Sequence, residues 1–180
     1  MKIAKRILLG ILGIIVLLLV VALFVKKEYA VEREIAINKP KQEVFDYVKF
    51  LKNQDNFSVW AQTDPNMKKD FRGTDGTVGA VSAWDSENKQ VGKGEQEIKN
   101  IIEGERIDFE LRFLKPFEAT DNAFMSTEAV GGNQTKVKWG FNGKMPYPMN
   151  LMLLVMNMDK MLGDQLQTGL NNLKTILEKQ

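Results

Sequence analysis

Residues 149–178 read MNLMLLVMNMDKMLGDQLQTGLNNLKTILE, and within them Leu151, Leu154, Val155, Met158, Leu162, Leu166, Leu170, Leu173 and Leu177 recur at helical spacing. Apolar residues three and four apart share one face of an α-helix. The stretch is therefore expected to form one long helix with a continuous apolar stripe, and such a stripe needs an apolar surface to lie against. Gly163 and Gly169 interrupt the helix-forming residues. Glycine costs about 1 kcal/mol in a helix interior, so each is expected to permit a close approach to a sheet or a slight bend. Pro146-Tyr147-Pro148 breaks the pattern ahead of the helix.

The surface for that helix is written in residues 67–143, which read as short strands separated by turns. Residues 106–114 alternate cleanly, with Ile107, Phe109, Leu111 and Phe113 on one face and Asp108, Glu110 and Arg112 on the other. Residues 135–142 place Val137, Trp139 and Phe141 opposite Lys136 and Lys138. Further strands are expected over 68–72, 77–84, 90–103 and 117–130, bounded by Gly73-Thr74-Asp75-Gly76, residues 85–88, Gly104-Glu105 and Gly131-Gly132-Asn133. One apolar and one polar face is the pattern of antiparallel hairpins. Upstream, residues 31–38 (VEREIAIN) alternate as a first strand, broken only by Arg33. Residues 41–51 carry Val44, Phe45, Val48 and Leu51 at helical spacing, and 57–60 suggest a second short helix. The expected architecture is α+β: a curved antiparallel sheet of about seven strands wrapped on a long C-terminal helix.

Ahead of this lies a stretch from Ile7 to Val25, ILLGILGIIVLLLVVALFV, nineteen residues without a charge. As a helix it is roughly 28 Å long, about the thickness of a hydrocarbon core. Its apolar core exceeds the 7–15 residues usual in a secretory signal, and no small-x-small site follows it. The reading is an uncleaved single-pass anchor over residues 1–28 with a soluble domain over 29–180. Lys2, Lys5 and Arg6 precede the helix, whereas Lys26 and Lys27 after it are offset by Glu28. This charge bias favours a cytoplasmic N-terminus and an extracytoplasmic domain.

Composition narrows the chemistry. The 180 residues hold no cysteine and no histidine, and the net charge is +2. Thiolate chemistry, Ser-His-Asp systems and Cys or His metal sites are excluded. Near-neutral charge gives no argument for nucleic acid. No cofactor is expected. Glu95 and Glu97, and Asp108 and Glu110, alternate along strands and are read as a solvated face rather than a metal site. Gly73 and Gly76, and Gly92 and Gly94, are turn glycines with no helix behind them, unlike a phosphate loop.

The order of strand, helix pair, six strands and long helix resembles the helix-grip order of the START and birch-pollen-allergen-like (SRPBCC) superfamily. Residues 31–60 carry Lys39-Pro40-x-x-x-Val44-Phe45-x-x-Val48 and are similar to its first strand and helix pair. The run Gly131-Gly132-Asn133-Gln134-Thr135-Lys136-Val137-Lys138-Trp139 resembles the GGT-x-V-x-W stretch of the polyketide cyclase/dehydrase and lipid-transport branch. The resemblance spans roughly residues 30–178. It implies a cavity between sheet and long helix; members bind sterols, lipids, polyketides and other apolar molecules, and only some are enzymes. It supplies no shared catalytic motif, so no catalytic residue is assigned, and the anchor is an addition to the family pattern.

Candidate cavity residues follow. Phe57, Trp60, Trp84, Phe109 and Phe113 supply large aromatic surfaces, as do Phe124, Trp139 and Phe141. Met152 and Met156, with Met149 and Met158, bring flexible thioethers to the start of the long helix. The strip of residues 151–158 is apolar on more than one face, as a pocket mouth or a membrane contact would require. Arg33, Tyr147, Asn157 and Asp159 are the candidate polar groups, and a buried Arg33 would need a carboxylate partner. The expected function is a membrane-anchored domain binding a small hydrophobic molecule or lipid. Its rivals are a cyclase- or dehydratase-like enzyme and a non-catalytic interaction or stress-related module with a packed core. Without His, Cys or a recognisable acid–base pair, the balance leans away from an enzyme.

Overall fold

Alternation and helical periodicity translate into seven strands and five α-helices in the computed structural model, which describes residues 2–179. The charge-free segment falls almost wholly in α1 (Lys2–Phe24), which is long and apolar enough to cross a membrane and also takes in Lys2, Lys5 and Arg6, expected ahead of the helix. Its side chains are almost all exposed, but Ala22 is fully buried. Lys26 and Lys27 lead directly into β1 (Glu28–Ile37). Three short helices follow: α2 (Lys41–Val48), α3 (Leu51–Gln54) and α4 (Val59–Thr63). Then come β2 (Lys68–Arg72), β3 (Val81–Asp85), β4 (Lys93–Ile102), β5 (Arg106–Lys115), β6 (Ala119–Gly131) and β7 (Gln134–Lys144).

All neighbouring strands pair antiparallel, in the order β1-β7-β6-β5-β4-β3-β2. Hairpins account for every contact except β1 with β7, which brings the start of the domain beside its last strand. Register irregularities at Lys93/Gly94, Ile98/Asn100 and Ala129/Gly131 bend the sheet. The strand expected from residue 77 begins only at Val81, because the turn before it runs to Gly79, whose φ is +86°.

The pairing gives the sheet two distinct ends. Glu28 opposite Lys144, Ala119 opposite Phe113, and Lys93 opposite both Lys115 and Asp85 lie at the end where α1 joins. Ile37 opposite Thr135 and Arg106 opposite Ser126 lie at the far end.

The long helix departs from its expected extent. Residues 149–178 are not one helix: Met149–Leu154 is a 3-10 segment, the chain then breaks, and α5 runs only from Met158 to Lys179. Two asparagines account for the break. Asn150 is fully buried and donates its amide Nδ2 to the carbonyls of Ala22 (2.7 Å) and Val25 (2.9 Å), which holds the 3-10 segment against the end of α1. Asn157 Oδ1 accepts from Lys160 N at 2.9 Å, a capping bond that starts α5.

From there α5 runs along β1 toward the far end. Arg33 grips Asp159 at its beginning, Lys174 Nζ donates to Ala36 O at 2.7 Å, and Glu178 accepts from Asn38 N at 2.7 Å near its end. The two helix glycines allow close approach rather than a bend. A Cβ at Gly163 would lie 2.0 Å from Arg33 Nη2, and one at Gly169 would lie 2.7 Å from Trp139 Cζ3. Phe57 and Trp60 flank the Trp139 ring at centroid distances of 5.6 and 6.3 Å, so it has little room to yield. Gly169→Ala is therefore expected to destabilise the domain by about 1–2 kcal/mol, overpacking outweighing the gain in helix propensity. Chemical denaturation checks this; an unchanged or raised midpoint would contradict the packing described.

Candidate functional site

The apolar face of each strand divides along its length. On β5, Ile107 and Phe109 are buried in solid core, whereas Leu111 and Phe113 border open space. On β7, Val137 is packed and Trp139 and Phe141 face the gap. On α5, Leu170, Leu173 and Leu177 are fully buried against the far half of the sheet, while Met158, Leu162 and Leu166 form a wall. The result is a cavity of about 300 Å³ beneath the half of the sheet that α1 joins. Leu51, Gln54, Trp60 and Ala61 from α3 and α4 close one side, and Met67, Trp84 and Val91 close the edge. This volume is at the small end of ligand sites, which run from roughly 300 to 1,000 Å³.

Aromatic rings build the walls as two linked groups. Trp139 meets Trp60 edge-on, with rings 81° apart. Phe113 contacts Trp84 at 6.2 Å and Phe141 at 6.5 Å, and Phe141 stacks on Tyr29 at 6.1 Å. Such edge and offset contacts hold the rings in fixed orientations.

Of the ten candidate cavity residues, Trp60, Trp84, Phe113, Trp139 and Phe141 line the space. The other five stand elsewhere. Phe57 and Phe109 are buried in the packed core. Phe124 faces the opposite side of the sheet, where the Arg106 guanidinium lies 3.8 Å from its ring centroid. Met152 belongs to the 3-10 segment and Met156 to the break after it, so neither reaches the cavity.

The polar candidates also fall elsewhere. Arg33 and Asp159 satisfy each other, with Nη1 to Oδ1 at 2.9 Å and Nη2 to Oδ2 at 3.0 Å. The Arg33 guanidinium holds the Asp159 carboxyl below the usual carboxylate range. Asn157 is used as a cap and Tyr147 is exposed.

Asp55, Ser58, Lys69, Ser82, Gln90 and Gln96 contribute polar groups to the lining, and with them stand the half-buried or buried Asp121, Tyr29 and Gln54. Asp121 is 6% exposed; burial raises its carboxyl pKa, opposed by Lys144 N, which donates to it at 3.0 Å. Burial, then the nearby Asp121 charge, pushes Tyr29 up to about 12. Gln54 accepts from Gln96 at 3.1 Å, and its own buried Nε2 has no partner among the described residues. The signal for Asp121 was present in the sequence: it shares inward parity with Ala123 and Met125, the reverse of Phe124.

The alternating carboxylates on the other face are neutralised by arginine. Arg112 bonds Glu95 and Glu97, each at 2.7 Å, and also Glu110, and Arg72 adds a second bond to Glu95. The Arg112 pairing holds the Glu95 and Glu97 carboxyls down. Among the described residues no group of acidic side chains is placed to hold a metal ion.

No family model matches the chain, and no curated protein aligns with it significantly. Solved structures do share its fold. Ara h 8.0201 superposes with a TM-score of 0.56 at 14% identity, over 85% of this chain and 99% of its own. A protein from Thermobifida fusca gives 0.54 at 18% identity, over 81% and 90%. DynU16, from the dynemicin biosynthetic locus, gives 0.53 at 14% identity, over 83% of this chain but only 47% of its own. The sheet and its C-terminal helix thus share the helix-grip fold of these structures.

Asp121 makes a pH prediction. Burial favours its neutral form, so the folded chain retains this proton above the ordinary value of 3.8, and its contribution to stability falls as pH rises through that interval. Asp121→Asn keeps an acceptor for Lys144 N and removes the charge. Relative to wild type, the variant should gain stability progressively as pH rises above 3.8. A urea midpoint series across pH checks this; parallel curves would contradict it.

Proposed function

We propose that this protein is a membrane-tethered receptor or carrier for a small, largely apolar molecule, held in the cavity between the sheet and α5. The single observation that supports the reading most is the unfilled aromatic space beneath half of an otherwise well-packed sheet. Binding would be driven by removal of apolar ligand surface from water, with Asp121, Tyr29 and Gln54 available to orient one polar end. Residues 1–28 form the anchor and residues 29–180 the binding domain. Burial of Ala22 and use of its carbonyl by Asn150 favour α1 as a retained part of the protein over a cleaved signal. Lys2, Lys5 and Arg6, in the first turns of α1, favour an extracytoplasmic domain. The ligand is a lipid or another molecule that partitions into the bilayer, because the cavity occupies the half of the domain beside the anchor.

The test is mass spectrometry of organic extracts from full-length protein purified in mild detergent, beside Ala123→Leu. Ala123 lines the cavity, and leucine fills it. Wild type should carry an apolar species and bind an environment-sensitive fatty-acid probe; the variant should remain folded and bind roughly tenfold more weakly, about 1.4 kcal/mol. Equal binding by both would contradict occupancy of this cavity.

A second reading, an enzyme on the same fold, draws on Asp121, a carboxyl that lines the cavity and whose pKa burial raises. It predicts that Asp121→Asn abolishes turnover of a bound ligand while leaving binding within a few-fold of wild type.

A further inference from the structure

Large apolar side chains left exposed outside α1 are unevenly distributed. At the far end of the sheet Val78, Ile102 and Val130 each sit in or beside a separate turn, and Phe50 lies against Gly76 in the β2–β3 loop. At the end joined by α1 they concentrate. Leu154 is 62% exposed, Val155 84% and Phe117 76%, and Met152, Met161 and Leu114 are exposed beside them in the chain. Phe117 occupies the tip of the β5–β6 hairpin, and pairing of Phe113 with Ala119 places that tip at the same end as Glu28 and Lys144. A folded domain gains nothing by presenting such side chains to water, and exposed clusters of this kind mark interaction surfaces.

The depth of this surface is set by hydrogen bonds. Asn150 donates to the carbonyls of Ala22, in the last turn of α1, and Val25, just beyond it. Ala22 lies two residues from the end of that helix, about 3 Å along its axis. Where α1 crosses a bilayer, Asn150 is therefore level with the edge of the hydrocarbon core, and the segment attached to it is level with the lipid headgroups. Exposed Lys26, Lys27, Lys115 and Lys144 lie at the same end, suited to anionic headgroups.

We propose that Met149–Leu154, with Val155 and the Leu114–Phe117 hairpin tip, is a membrane-docking foot that enters the interface of the bilayer spanned by α1. The foot fixes the orientation of the domain and seats the cavity half against lipid, a role that a flexible tether cannot supply. This rests on the reading of α1 as a retained membrane span. The occupant is lipid rather than a second copy, because the surface is bonded to the end of the apolar helix itself.

The chain has no cysteine, so single labels can be placed without background. Full-length Leu154→Cys, Val155→Cys and Phe117→Cys, with Val130→Cys and Ile14→Cys as references, would carry an environment-sensitive fluorophore. Each is reconstituted into phosphatidylcholine–phosphatidylglycerol vesicles containing lipids with a nitroxide high on the acyl chain. Quenching at 154, 155 and 117 should exceed that at 130 several-fold. If Ile14 is quenched and the three foot positions behave like Val130, docking is wrong and the anchor stands. If Ile14 is not quenched either, the anchor reading fails and the foot with it. Labels shielded from lipid but coupled between copies would overturn docking in favour of self-association.

Discussion

The cavity depends on where α5 begins. Had the helix continued through the 149–157 segment, it would extend about 13 Å further, enough to cover four strand residues of the near half of the sheet. Asn150 prevents this by committing its side chain to α1, and Asn157 restarts the helix at Met158. Leu151, Leu154 and Val155, which continue the apolar stripe in sequence, are diverted from the sheet. The near half thus keeps an apolar lining without a complete apolar cover. One pair of asparagine contacts both leaves the cavity open and fixes the domain to the end of α1.

The two halves of the sheet consequently differ in physical character. In the far half, side chains such as Phe45, Ile107, Leu170 and Leu173 have no exposed surface and interlock at the density of a protein interior. In the near half, Trp84, Phe113 and Phe141 contact one another but leave the space between them and α5 unfilled. An empty apolar space forfeits dispersion contacts on its walls, so an apolar occupant stabilises the folded state. The buried Asp121 adds an electrostatic penalty at neutral pH in the same region. Close packing is concentrated away from α1 and the open space lies beside it.

Much of this was legible in the sequence. Clean alternation in β5 and β7 fixed which faces are apolar, and the leucine spacing fixed the stripe of α5. Depth along a strand was not legible: Phe109 and Phe113 share a face, yet one is core and the other cavity wall. The aromatic ring of Phe124 suggests a cavity wall, although the parity of Asp121, Ala123 and Met125 turns it outward. That parity also carried the signal for Asp121, a residue type seldom buried. The break before α5 was hidden because residues 151–158 satisfy helical periodicity; what breaks it is a tertiary bond from Asn150 to a helix more than 120 residues away. The fold's membership of a widely used architecture adds shape and no chemistry, since identities of 14–18% to its neighbours carry the backbone alone.

The central claim is that bilayer-dissolved apolar molecules enter the cavity of the anchored domain. The most direct measurement is photolabelling of the full-length protein in vesicles with a diazirine-bearing fatty acid, followed by peptide mapping. The account predicts adducts on cavity walls from separate elements, among them Trp84 on β3, Phe113 on β5 and Leu162 on α5, and their loss in Ala123→Leu. Adducts confined to α1, or unchanged by the filled cavity, would contradict it.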